Sequence, residues 1–439
     1  MLTRLFRIVL RIFFREITVS GLENLPAEGP VIFTPNHPNA LVDPLLLFML
    51  PARYRVRFVA KAPLFKIPLL GWLMGKMGVI PVIRPMDTTR RVDYRVFFRN
   101  CLNRLQAGES IVIFPEGVSR PLPRMAALRT GAARLFCMAK TEGLPVSIVP
   151  VGINYEQGAL FRSSVMVSFG RPLVTKTAPL LHEQNPREAA RLLTRDLACA
   201  LGQLVFQADN IRERELMLLL ERIYRPVPSE TAWPQRLSRL KEFAAALSTL
   251  RRSHPEKIRK LRNMLVQYRR GEQSLQGKLP GKHPVGTRKL FFQGALACCG
   301  FPLAALGWML TVIPYRLCRL MVTNFKKCDA AATATYKIVY ALLLFPLAYL
   351  IQGFLVHLSL GGIYTWLFAL LVIPLSYFTL FYFEWLARLD LRLPVPCRRF
   401  QKSLRCEVSK SMALRQKRII RLAEHLYDHF QPPAAQNMC

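Results

Sequence analysis

Two apolar segments in the C-terminal part of the chain constrain its fold more than any other feature. Residues 338–358 and 362–383 each reach the roughly 20 residues that a helix needs to cross the hydrocarbon core of a bilayer. Because only a Ser-Leu-Gly link separates them, we expect a transmembrane helical hairpin over residues 336–384. The tail that follows, residues 385–439, is basic, so the positive-inside rule places both ends of the hairpin in the cytoplasm.

A third apolar segment precedes the hairpin, at residues 290–314. It contains no charged residue, but three glycines and a proline interrupt it: Gly294, Gly300, Pro302 and Gly307. A full crossing here would put the N-terminal part of the chain and its basic tail on opposite sides of the membrane, and the basic pair Lys326–Lys327 also argues against it. We therefore predict a re-entrant segment at 290–314, with a full transmembrane helix as the alternative.

The charge of the chain indicates an anionic partner. Lys and Arg number 62 against 27 acidic residues, a net charge of +35, while 51% of the residues are hydrophobic. This combination favours an anionic phospholipid membrane over nucleic acid, because no recognised nucleic-acid module is present and aromatic residues do not interleave the basic stretches.

Residues 1–16 predict an interfacial amphipathic helix on such a membrane. Four arginines at helical spacing line one face of an otherwise apolar stretch: Arg4, Arg7, Arg11 and Arg15. A helix of this kind lies on anionic lipid with its apolar side chains in the interface. The alternative is an amphipathic helix that packs on its own domain.

Residues 17–175 have the pattern of an α/β domain. Short apolar runs alternate with longer helical runs, which predicts a mixed, mostly parallel sheet flanked by helices. The predicted strands are VIFTP, SIVIFP, SIVPVGINY and VMVSFG, and the clearest helices are VDYRVFFRNCLNRL and LRTGAARLFCMAK. Since ligands usually bind beyond the carboxyl ends of parallel strands, a site is expected there.

The sequence between this domain and the apolar segments is basic. Residues 176–272 predict a basic helical region, for which a solvated helical arm is the simplest explanation. Residues 273–289, rich in Gly, Pro and Lys, predict a linker.

The stretch NHPNALVD, residues 36–43, places a histidine and a carboxylate in one loop. His37 precedes a proline and should therefore lie in extended backbone after the strand VIFTP. Pro44 is suited to open a helix, which predicts Asp43 as the N-cap of that helix. A carboxylate beside an imidazole fixes its tautomer and stabilises the imidazolium that forms when the ring accepts a proton. Such a pair alone is more often structural than catalytic.

Three further sequence blocks accompany this pair: GVIPVIR at 78–84, FPEGVSR at 114–120 and VPVGINY at 149–155. The second block is a strand end that turns at Gly117. Together with NHPNALVD, and in this order, the blocks resemble those of the glycerolipid acyltransferase family, the glycerol-3-phosphate and 1-acylglycerol-3-phosphate acyltransferases. The resemblance covers roughly residues 16–175.

The spacing of the histidine and the aspartate departs from the usual family pattern. The family has four residues between them, whereas this chain has the five residues PNALV, as in a branch that includes fungal-type acyltransferases. Pro38 and Pro44 offer a physical way to accommodate one more residue in the loop. The departure puts the geometry of the His37–Asp43 pair in question more than it does the family resemblance.

The resemblance implies acyl transfer from a thioester. His37 would act as general base on a glycerol hydroxyl and Asp43 would orient its ring. The hydroxyl oxygen would then attack the thioester carbonyl directly, and the chain has no GxSxG nucleophile motif. Acyl-CoA or acyl-carrier protein would be a substrate, with no cofactor and no metal.

The resemblance also implies a phosphorylated glycerol acceptor. Arg84 and Arg120 are the candidates that bind its phosphate, because a guanidinium matches phosphate oxygens. Glu116, Gly117 and Ser119 would complete the acceptor pocket, with Glu116 accepting a hydrogen bond from a glycerol hydroxyl.

Several functions stay open within and outside this family. Lysophosphatidate leads as acceptor, in phospholipid biosynthesis, with glycerol 3-phosphate or another lysophospholipid as alternatives. The expected location is a multi-pass membrane protein whose catalytic domain lies on the cytoplasmic face. The competing class is a non-catalytic membrane scaffold that retains the fold; it predicts damage to the four blocks, and none is visible.

Overall fold

The computed structural model of the protein describes residues 2–84, 87–89, 92–174, 183–224, 233–274, 287–324, 330–388 and 415–424. The chain forms two compact units, one mainly of residues up to Ser253 and one mainly of residues from His254 onward. Most of the predicted linker 273–289 and of the basic tail 385–439 lies outside the described residues, apart from the helix at 415–424 in the tail.

The first unit contains a seven-stranded sheet. Its strands are β1 (Glu16–Ser20), β2 (Val31–Pro35), β3 (Val56–Lys61), β4 (Ile80–Val82), β5 (Ser110–Val112), β6 (Ser147–Tyr155) and β7 (Ser164–Phe169). They lie in the order β1-β7-β6-β2-β5-β3-β4. Every neighbouring pair is parallel except β6 and β7, which are antiparallel. The predicted mixed, mostly parallel sheet is therefore confirmed.

The described helices follow the same alternation. They are α1 (Leu2–Phe13), α2 (Val42–Leu46), α3 (Pro68–Lys76), α4 (Arg95–Gln106), α5 (Gly131–Thr141), α6 (Pro186–Leu204), α7 (Ile211–Tyr224), α8 (Trp233–Ser253), α9 (Pro255–Ser274), α10 (Thr287–Asn324), α11 (Thr333–Leu360) and α12 (Gly362–Arg388). The four predicted strands coincide with β2, β5, β6 and β7, and the two predicted helices with α4 and α5. The sequence analysis did not single out β1, β3 or β4.

The core lies between the sheet and helices α4, α5 and α6. All five residues of β2 are buried, as expected for a parallel strand that is covered on both faces. Ile32 and Ile111 of the sheet pack in one cluster with Leu105 of α4, Leu135 of α5 and Leu197 of α6. Because α6 is part of this core, the region 176–272 is not simply a solvated arm.

Helix α8 also packs on the domain. Trp233 and Leu237 are buried in a cluster with Met166 of β7. Beside them the fully buried carboxylate of Glu221 pairs with Arg239 at 3.2 Å. The prediction of a solvated helical arm overlooked these contacts, because the many Arg and Lys residues of this region dilute its apolar positions.

Helix α1 packs on its own domain along one side. Leu10 is buried, the ring of Phe6 stacks on Phe48, and Arg7 donates a hydrogen bond to the Phe48 carbonyl at 2.7 Å. On the other side Leu5 and Ile8 are about half exposed, at 48% and 51%. Helix α1 therefore packs on its own domain, as the alternative interpretation predicted. Contact of its exposed side with lipid stays a prediction.

Among the residues that the structure describes, three apolar helices are long enough to cross a membrane by length and composition: Phe292–Asn324, Thr333–Leu360 and Gly362–Leu386. Helices α11 and α12 occupy the predicted hairpin and meet at Gly361. Over 290–314 the local structure is helical where the sequence suggested interruptions, because α10 is one continuous helix that includes Pro302 and Pro314. The re-entrant course of this segment stays a prediction.

The glycines of α10 explain this difference. They interrupt the apolar pattern but serve close packing against α12, as small residues do between membrane helices. An added Cβ at Gly307 would lie 2.0 Å from Thr379 Oγ1, and one at Gly300 would lie 2.7 Å from the Tyr382 ring. Residues taken from the sequence as helix breakers are therefore positions of helix–helix contact.

Candidate active site

His37 and Asp43 meet in the loop that follows β2. Nδ1 of His37 lies 2.8 Å from Oδ2 of Asp43. The carboxylate accepts the Nδ1 proton, so the neutral ring keeps Nε2 as its free acceptor. The His37 side chain is 17% exposed, and its ring stacks on Phe114 at 4.0 Å between centroids. The five-residue spacing is therefore compatible with the predicted pair.

Asp43 is not the N-cap that the sequence predicted. It is the second residue of α2, a five-residue helix that begins at Val42. Its Oδ2 accepts the backbone N–H of Asn39 at 2.7 Å, and its Oδ1 accepts the hydroxyl of Tyr155 at 2.5 Å. The side chain of Asp43 is fully buried. A buried carboxylate needs such donors, and these hold it facing the histidine.

Tyr155 reaches this carboxylate from the end of β6. Strands β2 and β6 are parallel neighbours, so their carboxyl ends lie at the same edge of the sheet. Burial, together with the charge of Asp43, raises the pKa of the Tyr155 phenol well above its ordinary value. The phenol therefore stays protonated and remains a donor to the carboxylate.

The FPEGVSR turn supports the histidine loop from the other side. Oε1 of Glu116 accepts the backbone N–H of His37 at 2.7 Å, and Oε2 accepts that of Ala126 at 2.8 Å. Ser119 Oγ accepts the backbone N–H of Ala40, which has a positive φ of 38°. Burial raises the pKa of the Glu116 carboxyl, partly offset by the two backbone donors. Glu116 and Ser119 thus hold the loop, and their contact with a glycerol hydroxyl stays a prediction.

Gly117 makes the turn itself. Its φ of 68° lies in the left-handed region, which glycine adopts without strain. The side chain of Arg129 packs against this residue, since an added Cβ would lie 3.5 Å from Arg129 Cγ. Arg129 was not among the predicted site residues, although the sequence block LRTGAARL contains it.

The two predicted phosphate ligands differ in their surroundings. Arg84 forms an ion pair with Asp87, with 2.8 Å between the nearest N and O atoms, and donates to the Gly117 carbonyl at 3.2 Å. Arg120 is exposed, and its backbone N–H donates to the His37 carbonyl at 3.1 Å. Both arginines are therefore tied to the turn and loop that carry the histidine pair.

Besides Arg129, three contributors were not predicted from the sequence: Asn39, Asp87 and Tyr155. Asn39 and Tyr155 lie inside the quoted blocks NHPNALVD and VPVGINY, so the blocks themselves were the available signal. Asp87 lies outside every block, and only the tertiary contact with Arg84 identifies it. Among the residues that the structure describes, no group of three or more His, Cys, Asp or Glu side chains is arranged to hold a metal ion.

Comparisons with known proteins find similarity to acyltransferases. Residues 16–154 match the family model described as Acyltransferase. A chloroplastic 1-acyl-sn-glycerol-3-phosphate acyltransferase of Brassica napus is 32% identical over 187 residues, which cover 40% of this chain and 51% of the relative. Glycerol-3-phosphate O-acyltransferase 1 of Saccharomyces cerevisiae is 23% identical over 301 residues, covering 48% of this chain and 40% of the relative.

A solved structure is also similar to this chain. PlsC of Thermotoga maritima, a 1-acyl-sn-glycerophosphate acyltransferase, is 20% identical, with 44% of this chain and 74% of that chain covered and a TM-score of 0.31. The chain spans about half the length of the two curated relatives named above.

The histidine–carboxylate pair thus lies at the end of a mostly parallel sheet, within the residues that match the Acyltransferase family model. The match of residues 16–154 to the Acyltransferase family model agrees with the resemblance drawn from the four blocks.

Proposed function

We propose that the protein is a membrane-bound O-acyltransferase that moves a fatty acyl group from acyl-CoA or acyl-carrier protein to lysophosphatidate. The observation that carries the proposal is the contact of His37 with the buried Asp43 at 2.8 Å, next to arginines suited to a phosphate. The Brassica relative, which is named for this acceptor, supports the choice of lysophosphatidate.

The chemistry follows from the free nitrogen of His37. Nε2 of His37 removes the proton from the acceptor hydroxyl while the hydroxyl oxygen attacks the thioester carbonyl carbon. Asp43 stabilises the imidazolium that forms. The tetrahedral intermediate then collapses, the carbon–sulfur bond breaks, and the thiolate takes the proton from His37. The products are an ester and a free thiol, and the enzyme returns to its starting state.

The developing oxyanion needs donors near His37. Several backbone N–H groups of the loop and turn are already used: those of His37, Asn39, Ala40, Gly117 and Arg120. The N–H groups of Val118 and Ser119 have no hydrogen bond to another described residue of the chain. We assign the oxyanion contact to these two groups.

The acceptor phosphate would bind to the arginines around Gly117. Arg84 contacts the Gly117 carbonyl, and the side chain of Arg129 packs against the same glycine. Arg120 follows three residues later and is exposed. Guanidinium groups on one turn suit a phosphate dianion, because each can donate two parallel hydrogen bonds.

Glycerol 3-phosphate is the second candidate acceptor. The yeast relative named for that substrate aligns with a larger share of this chain, 48%, than the Brassica relative does, 40%. Both acceptors carry the same phosphate, so the arginines alone do not distinguish them. A lysophospholipid with a larger headgroup would bring additional bulk to the phosphate site.

The proposal includes a location at an anionic phospholipid membrane, with the catalytic domain on the cytoplasmic face. Three apolar helices long enough to span support attachment, and the net charge of +35 supports anionic lipid. There a water-soluble thioester and a lipid acceptor can reach one site.

The test is product identification. The full-length protein, purified in detergent, is given acyl-CoA or acyl-carrier protein and, in separate reactions, lysophosphatidate, glycerol 3-phosphate or lysophosphatidylcholine. Mass spectrometry of the extracted lipid should show phosphatidate from lysophosphatidate. Lysophosphatidate formed from glycerol 3-phosphate alone would select the second candidate, and acylation of lysophosphatidylcholine alone would overturn the phosphate-monoester acceptor. No product with any acceptor and donor would indicate the non-catalytic scaffold.

A further inference from the structure

The guanidinium of Arg84 is held from two directions. Its Nε donates to Oδ2 of Asp87 at 2.9 Å, and one terminal nitrogen donates to Oδ1 at 2.8 Å. The other terminal nitrogen donates to the Gly117 carbonyl at 3.2 Å. The backbone N–H of Arg84 also donates to Asp87, at 3.2 Å. These bonds join the loop after β4 to the turn after β5.

Two donors of Arg84 remain for a ligand. A guanidinium carries five N–H groups in a fixed fork. Three of them are used by Asp87 and Gly117, so one N–H is left on each terminal nitrogen. A phosphate can accept from two such nitrogens at once. Asp87 therefore fixes the plane of the guanidinium and leaves donors on both terminal nitrogens.

The pair is shielded from water. The side chain of Asp87 is 9% exposed and that of Arg84 is 24% exposed. The hydrogen bond from Arg84 lowers the pKa of the Asp87 carboxyl, which therefore stays ionised at neutral pH. A shielded, two-point ion pair restricts a long side chain to one geometry, unlike a solvated surface pair.

We propose that Asp87 is a positioning residue for the acyl acceptor, which holds Arg84 against the Gly117 carbonyl so that its two remaining N–H groups bind the acceptor phosphate. This inference rests on the proposed function, in which the acceptor carries a phosphate. In the opposite role, Asp87 would be an internal anion that competes with the acceptor phosphate for Arg84. The two roles predict changes of opposite sign in the acceptor KM when the charge of Asp87 is removed.

The test compares the full-length wild type with Asp87→Asn and Asp87→Glu by initial rates, with acceptor and donor varied in turn. Asp87→Asn should raise the acceptor KM about tenfold, the scale of one charge-assisted contact. The donor KM and kcat should change less than about twofold, because Asp87 touches neither the thioester nor His37. Asp87→Glu keeps the carboxylate and should recover most of the acceptor affinity.

Asp93→Asn is the matched control. Asp93 also pairs with an arginine close in sequence, Arg95, but this pair is solvated, with the two side chains 53% and 92% exposed. Its loss should leave all the kinetic constants unchanged. An acceptor KM that is unchanged or lower in Asp87→Asn would overturn the positioning role. A loss confined to kcat would also overturn it.

Failure of the proposed function can be told apart from failure of this inference. If the wild type acylates no phosphorylated glycerol, the proposed function fails. The role of Asp87 is then tested by the binding of inorganic phosphate, which is measured by ³¹P line broadening with the same full-length proteins. Weaker phosphate binding by Asp87→Asn than by Asp93→Asn supports the inference, and equal binding overturns it.

Discussion

Tyr155 and Asp43 are joined by a hydrogen bond of 2.5 Å, in which the phenol donates to Oδ1 of the carboxylate. The other oxygen of Asp43 faces Nδ1 of His37. The candidate base is therefore oriented by a carboxylate that is itself oriented from a central strand of the sheet. A buried tyrosine outside the histidine loop thus contributes to the direction of the imidazole.

Tyr155→Phe should lower kcat about tenfold without raising the acceptor KM, because Asp43 loses a donor that holds it toward His37. A buried oxygen without its partner also costs about 1–3 kcal/mol, so the free energy of unfolding should fall by that amount. Tyr54→Phe is the control, since that hydroxyl donates to the Pro26 carbonyl in the same domain. Steady-state kinetics and denaturant titration check both. Equal kcat in the two variants would show that Tyr155 does not position the pair.

His37→Ala should reduce acyl transfer by about 10²–10⁴-fold, the range associated with a general base. Asp43→Asn should lose a similar part of the rate through the wrong tautomer and orientation of the ring. Circular dichroism should show an intact fold for His37→Ala, because the loop loses no core volume. His254→Ala, outside the acyltransferase domain, serves as the histidine control. Near wild-type turnover by His37→Ala would exclude the mechanism.

Arg120→Ala should raise the acceptor KM about tenfold and leave the donor KM unchanged, because its exposed guanidinium has no ion-pair partner among the described residues and is available to the phosphate. Arg84→Ala should act in the same direction. Arg95→Ala, whose side chain is 92% exposed, is the control for a lost surface charge. An effect on the donor KM alone would assign the arginine to the phosphates of the thioester carrier instead.

Glu116→Gln should destabilise the domain by about 1–3 kcal/mol, because an amide offers one acceptor where the carboxylate serves two backbone donors. Burial raises the pKa of Glu116, so the folded state holds its proton more tightly than the unfolded state. The stability linked to this proton is present at low pH and is lost as pH rises through the raised pKa. The advantage of the wild type over Glu116→Gln should therefore shrink as pH rises above 4.5, the ordinary value of this pKa, as thermal melting would show. An advantage that grows with pH would contradict this direction.

The sequence predicted the fold best where burial leaves a continuous apolar run. Strand β2 is buried along its whole length and was found as VIFTP, whereas β4 has one buried residue of three and was missed. Asp43 was misassigned as an N-cap, because Pro44 suggested a helix start. The helix begins earlier, and the carboxylate caps the Asn39 amide of the preceding loop instead.

The four blocks located the site, but the contacts that position its residues could not be predicted from them. Glu116 was expected to face the substrate, yet both of its oxygens hold backbone amides, a role that depends on how two loops meet. Asp87 and Tyr155 act through other side chains, and spacing along the chain carries no signal of such contacts. Their roles follow from tertiary structure alone.

In the second unit, helices α11 and α12 run antiparallel from Gly361, and Tyr349 of α11 bonds Ser376 of α12 at 2.9 Å. The open end of this pair lies at the start of α11 and the end of α12. Tyr382 and Lys337 are both near that open end.

Helix α10 contacts the open end twice. Tyr382 donates to the Ala297 carbonyl, and Sγ of Cys318 lies 3.6 Å from the Lys337 carbonyl. Between these contacts, the Leu310 carbonyl accepts from Gln352 at 2.9 Å. Pro314, four residues further on, has no N–H to donate to the Leu310 carbonyl. A proline at this position bends the helix.

These contacts predict that α10 enters the membrane and returns, so that the chain crosses only with α11 and α12. Two single-cysteine variants in an otherwise cysteine-free full-length chain can test this: Leu360→Cys beside the hairpin turn and Asn100→Cys in the catalytic domain. In sealed vesicles, an impermeant maleimide should label the two positions from opposite sides. The basic pair Lys326–Lys327 and the positive-inside rule predict that residue 100 lies in the cytoplasm. If α10 crossed completely, α11 would return to the side of the membrane that holds the catalytic domain. Both cysteines would then label from the same side.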